Sequence, residues 1–297
     1  MGPNPLLKRL GLSDRDRVAV LHADDVGMCQ ASVEAFSRLD DFGLAACGAV
    51  MVPCPWAPEA AAYARAHPQA DLGVHLTLTS EWKNYRWGPI STRDPQSGLM
   101  DEEGFFPRRS EAFQASVVPA AAAREMEAQI QRALAMGIDV SHIDTHMGTV
   151  LHGKFVQTYI GLALQYRVAG MIFRWDEPAL RQSGLDAEAA AAAAKAIQEL
   201  ESNGMPLLDG MVGLDLGKPE NRLEQAKLAF DALPAGVTHF LFHPCVDTPE
   251  LRAIAPDWRA RVADYETFMR EDLRSYVEKS GVKVIGYRTL RDLMRGS

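Results

Sequence analysis

The stretch Val18-Ala19-Val20-Leu21 leaves this chain little freedom of fold. These four apolar residues follow Arg17 without the polar alternation of a half-solvated strand. They read as a strand buried on both faces, the situation of a parallel sheet flanked by helices. The chain then runs through His22-Ala23 into Asp24-Asp25-Val26-Gly27. Adjacent carboxylates at the mouth of an apolar strand repel each other, so a cation, a retained proton or water must offset their charge.

The same pattern recurs along the chain. Apolar runs at 46–52, 71–79, 139–144, 170–175, 205–212, 237–242 and 282–286 read as strands. Helical periodicity fills 28–39, 57–67, 119–136, 155–166, 186–202, 220–233 and 258–279. Pro119 and Gly137 bracket one of these helices at the positions each residue favours. No internal repeat and no linker divides the chain. About eight alternations of strand and helix predict one parallel α/β domain, most simply a (β/α) barrel. It would span residues 17–297, behind a short N-terminal extension at 1–16. Residues 80–110 break the rhythm, with Trp82, Tyr85, Trp87, Phe105 and Phe106 set among glycines, prolines and charges. A loop this long inside a compact domain is usually a binding loop or a disordered segment. Its rings suit stacking on sugar faces as well as packing onto the barrel.

Composition narrows the partners. A net charge of −8 with no Lys/Arg cluster is poorly suited to a phosphate backbone, so nucleic acid is not an expected partner. The four cysteines have no Cys-x-x-Cys spacing, which argues against a zinc knot or redox pair and for buried small residues. The first residues lack the apolar core of a signal peptide, and no run approaches the ~18 apolar residues of a membrane span. The expectation is a cytoplasmic protein, with homo-oligomerisation left open.

In a barrel of this type chemistry sits at the C-terminal ends of the strands. Asp24, Asp25, His75, His146, Arg174 and His243 all fall at or near such ends. One carboxylate and two imidazoles make a three-ligand set for Zn²⁺ that leaves a position for water, and similar sets hold Mg²⁺ or other divalent ions. A second carboxylate beside a ligand could then accept the proton of that water. Each residue also has a plainer reading: His75 as a hydrogen-bonded core residue, His243-Pro244 as a strand terminus, the acid pair as a solvated turn. His142 and His146 are four apart at a strand end, so at most one of them is expected to face a metal.

Taken together, these motifs resemble those of the YdjC-like carbohydrate deacetylases, the group that includes chitooligosaccharide deacetylases. Asp24-Asp25-Val26-Gly27 resembles that family's Asp-Asp-Phe-Gly, and Gly73-Val74-His75-Leu76-Thr77-Leu78-Thr79 its Gly-x-His-x-x-Leu-Thr. His142-Ile143-Asp144-Thr145-His146 is similar to its His-x-Asp-x-His, and His243-Pro244 and Tyr287-Arg288 also fit. The chain departs from the family at Val26, and at Gly148 and Val150, where histidines often stand.

The resemblance implies a deformed (β/α) TIM-like barrel with a divalent metal on Asp25, His75 and His146. It implies Asp24 as general base, His243 as general acid, Arg174 as an orienting residue and Asp144 as a partner behind a ligand. Trp82, in the aromatic loop, is a further candidate for substrate contact. The implied reaction is removal of an N-acetyl group from an amino sugar or oligosaccharide. Two other readings remain: a metal-dependent hydrolase of another amide or ester, and a non-catalytic sugar-binding barrel. The presence of both Asp24 and His243 weighs against the second.

Overall fold

A computed structural model describes residues 2–42 and 44–296; residues 1 and 297, the outer ends of the expected extension and barrel, lie outside it, as does residue 43. Its strands are β1 (Arg17–Val26), β2 (Cys47–Val50), β3 (Leu72–Leu76), β4 (His142–Thr145), β5 (Ala169–Gly170), β6 (Gly210–Gly213), β7 (Gly236–Phe242) and β8 (Lys283–Ile285). They pair in the order β5-β4-β3-β2-β1-β7-β6, and β8 lies along the first half of β1. All pairings are parallel. One parallel bridge, Phe173 with Leu208, joins the segment after β5 to the segment before β6. The sheet therefore curls into a deformed (β/α) barrel, thinnest on its β5–β6 side.

Burial on both faces of β1 follows from its composition. Val18 and Val20 join Leu6, Leu7, Val237 and Tyr287 in one apolar cluster. Ala19, Leu21 and Ala23, of opposite parity, pack with Phe36 and Leu39 of the helix Gln30–Phe42. The short helix Pro5–Arg9 brings Leu6 and Leu7 into the first cluster, and the Asn4 side chain caps it by accepting from the Leu6 amide at 2.9 Å. All four cysteines are buried and free. No helix among the described residues is long and apolar enough to cross a membrane.

Several expected elements differ, the strand expected over 205–212 being confined to Gly210–Gly213 and two others departing further. The helix expected over 258–279 is two helices, Trp258–Phe268 and Glu271–Ser280. Arg270 takes an extended conformation between them, and Glu271 and Asp272 open the second helix, where its dipole favours acids. The strand expected over 170–175 is reduced to Ala169–Gly170. The Ile172 amide donates back to the Gly170 carbonyl, and the following residues turn toward the segment that precedes β6.

One buried ion pair fixes the helices beside the barrel mouth. Arg222, at the start of the helix Arg222–Asp231, lies 2.7 Å from Asp264 of Trp258–Phe268, and both are buried. Asp264 also accepts from the His243 amide at 2.9 Å, which ties the end of β7 to the same pair. Burial raises the Asp264 carboxyl to about 6, against the pull of Arg222. Removing one member of such a pair strands the other charge. Arg222→Met is therefore expected to lower stability by about 3–5 kcal/mol. Urea unfolding checks this, and an unshifted midpoint would show that the pair is dispensable.

Candidate metal centre

Adjacent residues of a regular strand point to opposite faces, yet Asp24 and Asp25 line the same cavity. The pairing of β1 with β2 shifts register between Ala23 and Val26, and Asp25 adopts a left-handed conformation with φ 62°. This bulge turns Asp25 back to the side of Asp24. Gly27 follows with φ 83°, and a Cβ there would meet the Ala57 backbone at 3.1 Å, so only glycine fits the exit from the bulge.

Asp25, His75 and His146 converge, with ligand atoms all within 4.8 Å of one another. Asp25 Oδ1 lies 3.3 Å from His75 Nε2 and 3.2 Å from His146 Nδ1. The far nitrogen of each imidazole is held from behind, His75 Nδ1 by Asp144 at 2.9 Å and His146 Nε2 by Glu81 at 3.0 Å. Arg261 Nη1 donates to Asp25 Oδ2 at 2.7 Å. Burial pushes the Asp25 carboxyl up, but Arg261 and the two imidazoles hold it well below the usual carboxylate range. Burial disfavours charge on both imidazoles as well. Asp144 and Asp25 nevertheless raise His75 well above its ordinary value, and Glu81 and Asp25 raise His146 to about 9. Two protons thus supply the positive charge at a carboxylate–imidazole–imidazole donor set, and a divalent ion could supply it in their place.

Beside this trio, Asp24 Oδ2 stands 3.7 Å from His243 Nε2 and 4.0 Å from His75 Nε2. Its other oxygen is bound to His22 Nδ1 at 2.6 Å. Burial raises the Asp24 pKa, but the His22 hydrogen bond and the nearby imidazoles leave it below its ordinary value. Burial lowers the His243 pKa, only partly countered by Asp24 and Asp25.

Deeper in the barrel the polar groups continue. His22 Nε2 meets His142 Nε2 at 2.8 Å, and His142 Nδ1 meets Ser141 Oγ at 2.8 Å. The Tyr287 ring stacks on His142 at 4.0 Å between centroids, with its hydroxyl 2.9 Å from His239 Nδ1. His142, Asp144 and His146 follow the two-residue period of a strand face, which spreads them in depth: His142 on His22, Asp144 on His75, His146 at the trio. His22, Asp24, Asp144 and His239 form a second group within 4.8 Å. Asp25, His75 and His146 all line the cavity whereas His22 does not, so the shallower trio is the donor set open to a ligand.

Not every residue expected at the site is there. Arg174 lies at the opposite end of the barrel, paired with Glu201 and with Asp209 at 2.9 Å. Asp209 immediately precedes β6 and accepts from the Val237 amide at the start of β7. The cause is the early end of β5, which diverts Arg174 from the strand-end position its place in sequence suggested. Arg261 is the arginine at the centre. Trp82 does line the cavity, with the Arg261 guanidinium 5.4 Å from its ring centre, and Glu81 reaches His146. The other rings of 80–110 hold the loop on the barrel: Trp87 Nε1 donates to the Thr79 carbonyl at 2.7 Å, Tyr85 to that of Met28 at 2.5 Å, and Phe106 is fully buried. Sequence reasoning missed Arg261, Glu81, His22 and His239, and took His142 only as the first residue of the His-x-Asp-x-His motif. Strand parity with Asp24 could have found His22. The helical spacing of Asp257, Arg261 and Asp264 could have found Arg261.

The whole arrangement opens into a cavity of about 600 Å³, within the usual range for small-molecule sites. A crystal structure from Enterococcus faecalis, provisionally described as a cellobiose-phosphate cleavage protein, shares this fold. Its TM-score is 0.73 and its identity 22%, over 93% of this chain and 99% of that one. A carbohydrate deacetylase of Thermus thermophilus is 35% identical over 269 residues, 91% of this chain and 92% of that protein. One from Thermoanaerobacter pseudethanolicus is 23% identical over 92% and 98%. The family model described as YdjC-like protein matches residues 18–279, from β1 through the helix before β8 and so across every side chain of the trio, and on this the chain belongs to the YdjC-like family.

Proposed function

We propose that this chain is a metal-dependent carbohydrate deacetylase, a hydrolase that removes the N-acetyl group from an amino sugar or oligosaccharide, with residues 17–297 as its catalytic domain. The observation that carries the reading is the convergence of Asp25, His75 and His146 beside a second carboxylate, Asp24, and a second imidazole, His243, in one cavity. Relatives named carbohydrate deacetylase support the substrate class. The mixed N/O donor set suits Zn²⁺. Free buried cysteines suit a reducing compartment, and the reading assigns the reaction to the cytoplasm.

Asp25, His75 and His146 would hold the ion, which supplies a Lewis acid that polarises the amide carbonyl and acidifies the attacking water. Both carboxylates are held below their ordinary value, Asp25 the more strongly through Arg261, so Asp24 is the better placed of the two to take a proton. His22 occupies Asp24 Oδ1 and leaves Oδ2 as the accepting atom. Burial keeps His243 neutral as substrate arrives. It becomes an acid toward the leaving nitrogen once it gains a proton, and the carboxylate that accepts one from water stands 3.7 Å from its Nε2.

Acetate release from N-acetylglucosamine oligomers of increasing length, by metal-stripped protein with and without Zn²⁺, tests this. Release that depends on the ion is the expected result. No release at any length would overturn the sugar assignment and turn the search to other amides and esters.

A further inference from the structure

The cavity is built from two kinds of surface. Asp24, Asp25 and His75 of β1 and β3, Asp144 of β4, His243 after β7 and Arg261 of the helix Trp258–Phe268 give the cavity its polar face. β6, β7 and the segments after β4, β5 and β6 contribute Met147, Leu151, Met171, Met211, Leu216 and Leu241. Thioether and isobutyl groups offer sugar hydroxyls no hydrogen bonds to replace those lost from water. Nor is this surface all internal packing, because Met147 is 58% and Met211 56% exposed. Among the described residues only Leu228 is a more exposed large apolar side chain. Contiguous exposed apolar surface at a pocket marks a binding surface, and methionine adapts readily to flexible chains. Met147 is moreover held in a left-handed conformation, φ 55°, immediately after His146. Such a conformation is unfavourable for this residue type, and strain of this kind collects where a side chain must be aimed at a ligand.

We propose that the substrate carries an alkyl chain on the amine-bearing half of the scissile amide, as an aglycone on the amino sugar, and that Met147, Met211 and Leu241 determine specificity for it. This rests on the deacetylase reading, in which His243 meets the leaving nitrogen. His243 directly follows β7, whose Leu241 lines the cavity two residues earlier. Met211 lies on the neighbouring strand, in register with His239. The apolar side is thus continuous with the residue that meets the nitrogen, which puts the chain on the sugar half and leaves the acyl half short.

The test compares octyl and methyl N-acetyl-β-glucosaminides, below the micellar range, with the metal-loaded full chain. Each buried methylene contributes roughly fourfold in affinity, so kcat/KM for the octyl compound should exceed that for the methyl compound by about tenfold or more even if only part of the chain is buried. In Met147→Asn/Met211→Asn this ratio should fall by roughly fivefold. A ratio near one in the unmodified protein would overturn the proposal. So would a preference for N-octanoylglucosamine over the octyl glycoside, which would put the chain on the acyl side. Calorimetric binding of octyl β-glucoside against methyl β-glucoside, neither of which has an amide, separates this idea from the deacetylase reading. Tighter octyl binding that the double substitution weakens, with no acetate released from either glucosaminide, would sink the deacetylase reading and uphold the apolar contact. Equal binding of the two glucosides would overturn the contact whatever the activity.

Discussion

Asp24→Asn is expected to lower turnover by roughly 10²–10⁴-fold, the usual range for a positioned general base, while leaving bound metal unchanged. The amide keeps the shape of the carboxylate and can still meet His22, so the buried network below it persists. It has no basic oxygen for the water proton. Asp25 cannot take over, because Arg261 Nη1 at 2.7 Å and two imidazoles hold its carboxyl well below the ordinary range. The measurement is kcat together with metal content by atomic emission. Full turnover in a metal-replete Asp24→Asn protein would remove Asp24 from the role of base. Loss of metal in the same variant would make it a ligand instead.

His75→Ala and His146→Ala are each expected to weaken metal binding by more than about 100-fold. Loss of a group that merely orients a ligand costs up to roughly that much, and loss of the ligand itself costs more. Asp144→Asn should fall within the smaller range, since Asp144 only fixes His75 through Nδ1 at 2.9 Å. The pH dependence follows from the charges of the metal-free centre. His146 is raised to about 9 and His75 well above its ordinary value, so at neutral pH an incoming ion must displace two protons. Affinity should rise as pH increases toward about 9, where His146 gives up its proton, and fall as pH drops below that. Calorimetry in buffers of different ionisation enthalpy would report the released protons. The sign is opposite for stability of the metal-free fold. A raised histidine pKa contributes stability that is full below the ordinary value of 6.5 and lost as pH rises through about 9. Metal retained in full by both alanine variants would move the ion away from this trio.

Much of the architecture was legible because it follows from short-range pattern. Unbroken apolar runs such as Val18-Ala19-Val20-Leu21 can be buried only between two layers, and their alternation with helical periodicity leaves few topologies. What misled was the assumption that a strand continues as far as its apolar residues do. Gly170-Met171-Ile172-Phe173 has strand composition, yet the backbone turns after Gly170 and Arg174 leaves the site. Likewise the helical period of 258–279 runs across Met269-Arg270, where two helices meet. Nothing in the local pattern marks the break between Phe268 and Glu271.

The sequence by itself determined that this chain forms parallel strands with acids and histidines at their ends, because parity and burial are properties of neighbouring residues. The set Asp24, Asp25, His75, His146 and His243 was readable for that reason. Only the tertiary structure decided that Asp24 and Asp25 share one face, since strand parity separates neighbours and a bulge with Asp25 in the left-handed region had to reunite them. It also decided that Arg261, 236 residues beyond Asp25 in the chain, is the cation that keeps that carboxylate ionised. Such a partner is chosen by the closure of the barrel and the docking of a helix across its mouth: the local spacing of Asp257, Arg261 and Asp264 marks a charged helix face, but not which carboxylate that face meets.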